Sequence, residues 1–240
     1  MTVAVCRFSE DAGPRTAIML PGTGSDDVFV RSVFEIPLAA AGVSVVAPAP
    51  VPGPSLASSA LSALSASSGS VLVGGISFGA HLAAEWALAH PARCAGLVLA
   101  LPAWHGSPGS APAALSAAHS AARVRAVGVS GSLAESSLPS WLSAELSRAW
   151  SGYGDGLASS LEVAASRPAP SLAELSTLSV PVGIAACVDD PIHPASVAAE
   201  WAAALPCARV CTTRLSVVGA DPEALGRAAV LAWLRAAGLA

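Results

Sequence analysis

Residues 71–81 read Val71-Leu72-Val73-Gly74-Gly75-Ile76-Ser77-Phe78-Gly79-Ala80-His81. The first half is a short apolar run, the pattern of a strand covered on both faces. The second half opens Phe78–Ala89, an alanine- and leucine-rich stretch with helical composition. Gly75-Ile76-Ser77-Phe78-Gly79 joins the two as G-x-S-x-G. So sharp a turn strains the serine backbone, and the flanking glycines let strand and helix approach closely. The Ser77 hydroxyl is then expected to project at the carboxyl edge of a sheet, as in a nucleophile elbow. The plain alternative is a glycine-rich turn with an incidental serine, and the order strand–motif–helix favours the reactive reading.

The same alternation extends outward. Further strands are expected at Val3–Phe8, Ala17–Leu20, Ser44–Ala47, Gly96–Leu101, Val180–Cys187 and Arg209–Leu215. Helical stretches lie between them at Asp26–Ala40, Ser55–Ala66, Ala195–Ala204 and Pro222–Ala237. This pattern implies an α/β fold with a mainly parallel sheet. The last helix has a marked start, with Asp221 able to cap, Pro222 in the first turn and Glu223 at the positive end of the dipole. Residues 104–178 break the alternation. They hold loop punctuation around short helical patches, together with Trp104, Trp141, Trp150 and Tyr153. Such an insertion reads as a helical cap over a pocket, or else as an extra packing layer.

Composition removes whole classes of function. The 240 residues include 54 alanines and no lysine; all 12 basic residues are arginine. Without lysine there is no P-loop lysine, no Schiff-base lysine and no kinase strand lysine. A net charge of −4 argues against a nucleic-acid partner. Arg7 and Glu10 interrupt the start, so no secretory leader is expected. The uncharged stretch Ile36–Ala84 is broken by prolines, so no membrane-spanning helix is expected either. Cys6, Cys94, Cys187, Cys207 and Cys211 show no C-x-x-C spacing. They read as buried thiols of a cytoplasmic protein, without a structural zinc site or a disulfide framework. No metal or cofactor is expected, and the partner is a small molecule.

Two loops carry further chemistry. Leu20-Pro21-Gly22-Thr23-Gly24-Ser25-Asp26 follows an early strand and runs into a helix, so it offers free backbone N–H groups of the kind that hold an oxyanion. A dinucleotide loop would need a third glycine where Asp27 stands, and an acid there would repel a pyrophosphate. Val188-Asp189-Asp190-Pro191-Ile192-His193-Pro194 ends a late strand, where a carboxylate can orient a base. Asp before Pro is also ordinary turn chemistry.

Taken together, these motifs resemble the α/β-hydrolase superfamily, and small capped esterase-like members most. The resemblance spans essentially the whole chain: oxyanion-type loop, GISFG elbow, helical insertion, DDPIHP loop and final helix. It implies a core of residues 1–103 and 179–240, with a cap over 104–178 between the sixth and seventh strands. It implies Ser77 as nucleophile, with the N–H groups of Thr23 and Phe78 as oxyanion hole. Asp190 matches the acid, with Asp189 the second choice. The family's general-base histidine belongs just before the final helix, and there this chain has Ala220.

The five histidines can each be weighed against that gap. His193, three residues after Asp190, is the best surrogate base. His105 is placed near the pocket mouth with Trp104, as a substrate-binding residue or a second surrogate. His81 is expected to pack below the site, His90 to meet its helix's C-terminal carbonyls, and His119 to lie on the surface. Three functions follow: hydrolysis of a small apolar ester or thioester through a Ser77 acyl-enzyme; a degenerate α/β-hydrolase that only binds its ligand; or a lyase or isomerase that uses the oxyanion hole.

Overall fold

Alternate residues of the central strands point into opposite layers, and this pleat arranges everything else. The computed structural model describes residues 16–134 and 138–240. Within them one parallel sheet is formed by β1 (Thr16–Leu20), β2 (Ser44–Val46), β3 (Val71–Ile76), β4 (Cys94–Ala100), β5 (Val182–Cys187) and β6 (Ala208–Thr213). Their spatial order is β2-β1-β3-β4-β5-β6. Ile18, Leu20, Val71, Val73, Leu97, Leu99, Val182 and Ile184 bury toward one layer. Ala17, Met19, Leu72, Ile76, Val98, Ala100, Ala185 and Cys187 bury toward the other.

Each layer is closed by helices with matching apolar faces. The first is covered by α2 (Leu56–Ser65), α3 (Phe78–Ala89) and α8 (Ala195–Ala204), through Leu56, Leu64, Leu82, Trp86 and Trp201. The second is covered by α1 (Asp27–Ala40) and α10 (Glu223–Ala236), through Val33, Phe34, Leu38, Ala229 and Trp233. The order and direction of the strands make this a doubly covered α/β sheet, as the alternation predicts. No helix among the described residues is long and apolar enough to cross a membrane.

The insertion lies between β4 and β5, the fourth and fifth described strands. It contains α4 (Pro112–Ala134, interrupted at Gly128), α5 (Ser140–Tyr153), α6 (Leu157–Ser166) and the single turn α7 (Leu172–Leu175). Ion pairs hold it internally, Arg125 to Glu162, and onto α3, Arg167 to Glu85.

Local chemistry explains where the elements stop. β4 ends at Ala100 because Leu101 takes a left-handed φ of 53° before Pro102. β5 starts after Pro181, which has no N–H to give. The last strand is one such correction: it stops at Thr213, not Leu215. There the Leu215 N–H donates to Asp189 Oδ1 at 2.6 Å, and a short helix α9 (Leu215–Ala220) begins. The expected strand Val3–Phe8 lies outside the described residues. Cys94 and Cys187 are buried thiols and Cys211 a half-buried one, but Cys207 is disulfide-bonded, against the expectation of free thiols throughout.

Helix α10 reaches the sheet only because β5 carries a glycine where it crosses. A Cβ on Gly183 would sit 2.2 Å from the Trp233 amide nitrogen and 2.3 Å from the Ala229 carbonyl oxygen. Both obstacles are backbone and cannot turn aside. Gly183→Ala is therefore expected to cost about 1–3 kcal/mol. In a chain of this size that lowers the melting temperature by roughly 2–12 °C, which differential scanning calorimetry reads.

Candidate functional site

Ser77 occupies the turn between β3 and α3 with φ 53° and ψ −114°. A side chain rarely tolerates that conformation, and the surroundings impose it. The Ser77 N–H donates to the Ala100 carbonyl at 2.9 Å, while its own carbonyl accepts from the amides of Ala80 and His81. On either side there is no room for a larger residue: a Cβ on Gly75 or Gly79 would meet the Leu20 carbonyl oxygen at 2.5 Å. Gly22 of the early loop lies beside the turn, since a Cβ there would come 3.2 Å from the Ile76 carbonyl oxygen and 3.5 Å from the Ser77 Cβ. Loop 20–26 and the serine turn are thus in contact, as the sequence predicts.

The loop after β5 supplies the partners. His193 Nε2 lies 2.9 Å from Ser77 Oγ, and His193 Nδ1 lies 2.9 Å from Asp190 Oδ2. A carboxylate can only accept, so Nδ1 carries the imidazole proton. Nε2 is then free to accept from the Ser77 hydroxyl. The other oxygen, Asp190 Oδ1, accepts from the amides of Ile192 at 2.8 Å and His193 at 3.1 Å. Acid and imidazole therefore belong to one hydrogen-bonded turn. Asp190 and Ser77 are buried, while His193 is partly open.

Burial alone would raise the Asp190 carboxyl. The hydrogen bond and charge of His193 and the two loop amides outweigh it and hold the group below its ordinary value. The two adjacent acids, left open by the sequence, are separated by the fold. Asp190 faces His193, whereas Asp189 is exposed and its oxygen accepts the Leu215 N–H.

The other histidines fall elsewhere. His81 is buried under the site, and its Nε2 accepts from the amides of Ala103 at 3.0 Å and Trp104 at 3.4 Å. Desolvation, with a smaller contribution from the charge of His193, lowers it to about 3, so it stays neutral. His90 Nδ1 meets the Trp86 carbonyl at the end of α3, and His119 is exposed. His105 turns to Glu200 on α8 at 3.1 Å. Trp104 is buried edge-on against His81, and its carbonyl accepts from Trp201. The structure gives neither Trp104 nor His105 a hydrogen bond to the Ser77 group. Ala220, at the histidine's expected position, is exposed at the end of α9; beside it a Cβ on Gly219 would strike the Trp141 ring.

The sequence did not reveal what holds loop 20–26. Asp26 caps α1 by accepting from the Phe29 amide, and the same carboxylate takes two hydrogen bonds from Arg148 of α5. The Tyr153 hydroxyl donates to the Ser25 carbonyl at 2.8 Å. A Cβ on Gly24 would lie 2.7 Å from Trp150 Nε1. Tyr153 and Trp150 stood out as an aromatic cluster. A single arginine on an amphipathic helix carries no signal of its partner more than a hundred residues away.

A strained serine, a shared imidazole–carboxylate turn, and a glycine loop beside them on a parallel sheet complete the geometry. The chain has the α/β-hydrolase fold. A thermophilic esterase from Thermogutta terrifontis superposes with a TM-score of 0.70 at 22% identity, covering 94% of this chain and 92% of that one. A hydrolase from Pseudomonas aeruginosa gives 0.64 at 22% identity, covering 95% and 92%. A hydrolase from Oleispira antarctica gives 0.70 at 14% identity, covering 93% and 92%. No protein-family model and no curated protein matches the sequence.

The lowered Asp190 makes a pH signature. Its ionised form is favoured by folding, so that contribution is present above the ordinary carboxylate range, about pH 4, and is lost as pH falls through the folded value. The stability gap between wild type and Asp190→Asn is expected to be widest near neutrality and to shrink toward about pH 3. Urea unfolding across that range measures it; a gap independent of pH would contradict the assignment.

Proposed function

We propose that the protein is a serine hydrolase of small apolar carboxylic esters or thioesters. The observation that carries the reading is the 2.9 Å contact from Ser77 Oγ to His193 Nε2, continued at 2.9 Å to Asp190. These distances are within the reach that a nucleophile and its base require. The base is supplied by the loop after β5, in place of the usual position now held by Ala220.

In this reading Ser77 Oγ attacks the carbonyl carbon and its proton passes to His193 Nε2. The Asp190 carboxylate keeps the imidazole oriented and stabilises its charge. The negative oxygen is received by backbone N–H groups of Phe78 and Thr23. Phe78 begins α3, where the first amides have no partner within the helix. The ester C–O bond, or thioester C–S bond, then breaks, and the proton on Nε2 goes to the leaving group. Water, deprotonated by the same nitrogen, hydrolyses the Ser77 ester and releases the acid.

Neutral His81 suits this chemistry, because a second positive charge beneath His193 would oppose protonation of the base. The esterase and hydrolases of like fold are consistent with the reading. The binding-only and lyase or isomerase readings are motivated by the absence of a histidine at position 220; the His193 contact with Ser77 supports the hydrolytic reading over them.

Activity-based labelling tests the proposal. A fluorophosphonate probe is expected to add one adduct to the wild-type chain, seen by intact mass, and none to Ser77→Ala. Absence of labelling in the wild type, or equal labelling in both, would overturn it.

A further inference from the structure

A cavity of about 100 Å³ lies beside the Ser77 turn. Pro21, Gly22 and Phe78 line it on the side of the serine. Facing them is one stripe of α2, Leu56, Ala60 and Ala63, at the i, i+4, i+7 spacing of a single helix face. Tyr153 of the insertion also lines it, and its hydroxyl is already engaged by Ser25. No charged side chain lines the space.

We infer that this cavity receives the acyl chain of the substrate and limits it to roughly four carbons. This rests on the hydrolase reading above. Three observations carry it. First, the lining includes Gly22 and Phe78, which flank the Ser77 turn, so the space adjoins the place where the carbonyl would sit. Second, it includes no residue of loop 188–194. The leaving group has to stand beside His193 Nε2 to take its proton, so the acyl group is the substituent on the cavity side. The His193 side is the open one: Val188 and Ile192 are exposed, which lets an alcohol or thiol depart to solvent. Third, the size is limiting. A cavity of about 150 Å³ accommodates benzene with its six carbons. Scaled to the present volume, the space takes roughly four.

The walls set the limit through small residues. Ala60 and Ala63 are the positions on α2 where added carbons would enter the cavity without disturbing the sheet. Both are only half-buried, so substitution there does not open a hole in the core.

The experiment is a chain-length series of p-nitrophenyl esters from acetyl to octanoyl on wild type, Ala63→Leu and Ala60→Val. In wild type, kcat/KM is expected to rise roughly fourfold per methylene from acetyl to butyryl, and then to level or fall. Ala63→Leu, and less strongly Ala60→Val, should remove the rise while leaving acetyl hydrolysis within about threefold. A profile unchanged in both variants would overturn the assignment. So would a change that appears only when the alcohol part of acetate esters is lengthened. Ligand-observed NMR with butyramide, which has the chain but no ester, separates the two claims: it should bind wild type and Ser77→Ala but not Ala63→Leu. If no ester is turned over and this binding pattern still holds, the hydrolase reading and the acyl role fail together, and the cavity is left as a site for a short apolar chain. Equal butyramide binding by wild type and Ala63→Leu overturns the cavity assignment whatever the kinetics.

Discussion

The turn in which Asp190 Oδ1 accepts the amides of Ile192 and His193 is the interaction on which the site depends. It leaves Oδ2 directed at the imidazole of the same turn. Carboxylate and imidazole are therefore positioned by local backbone geometry, over three residues, and not by two loops meeting across the sheet. Such an arrangement favours the ionised carboxylate. The strained serine needs only one further condition, that β3 and β5 lie two places apart in a parallel sheet and end at the same edge. The order β3-β4-β5 supplies it.

In the proposed reading the segment before the last helix has no catalytic part. Residues 215–220 form a short helix, started by Asp189 and covered near Gly219 by Trp141. The neighbouring acids thus do unlike work. One holds the His193 imidazole, and the other caps the helix before the last one. Insertion and core are joined in a comparable way. Arg148 and Tyr153 of the insertion bind the loop that carries Gly22 and Thr23, so the insertion helps to hold that loop in place.

Much of this was legible in the residues. The run 71–89 gave strand, turn and helix at the observed bounds, because a buried apolar run, a glycine-flanked serine and an alanine-rich helix each have a local cause. The helix Ala195–Ala204 was legible for the same reason. His193 stood out because each of only five histidines could be weighed. The resemblance ranks Asp190 above Asp189 but leaves the choice open, because both precede the same turn; in the fold Asp190 meets His193 and Asp189 accepts the Leu215 amide. The Arg148–Asp26 pair and the cavity between α2 and α3 are products of packing between distant segments. Leu215 reads as strand in the sequence because it continues the apolar pattern of β6, whereas the carboxylate that starts a helix there comes from another loop.

The central claim is that the base resides in the loop after β5. Its most direct test is the hydrolysis rate of His193→Ala against wild type, with Ser77→Ala as the reference for background. Loss of a base in a serine triad lowers kcat by up to about 10⁶-fold. The account predicts that His193→Ala falls to the level of Ser77→Ala and that adding Ala220→His does not restore it. Activity of His193→Ala within about tenfold of wild type, or rescue by the histidine at position 220, would contradict it.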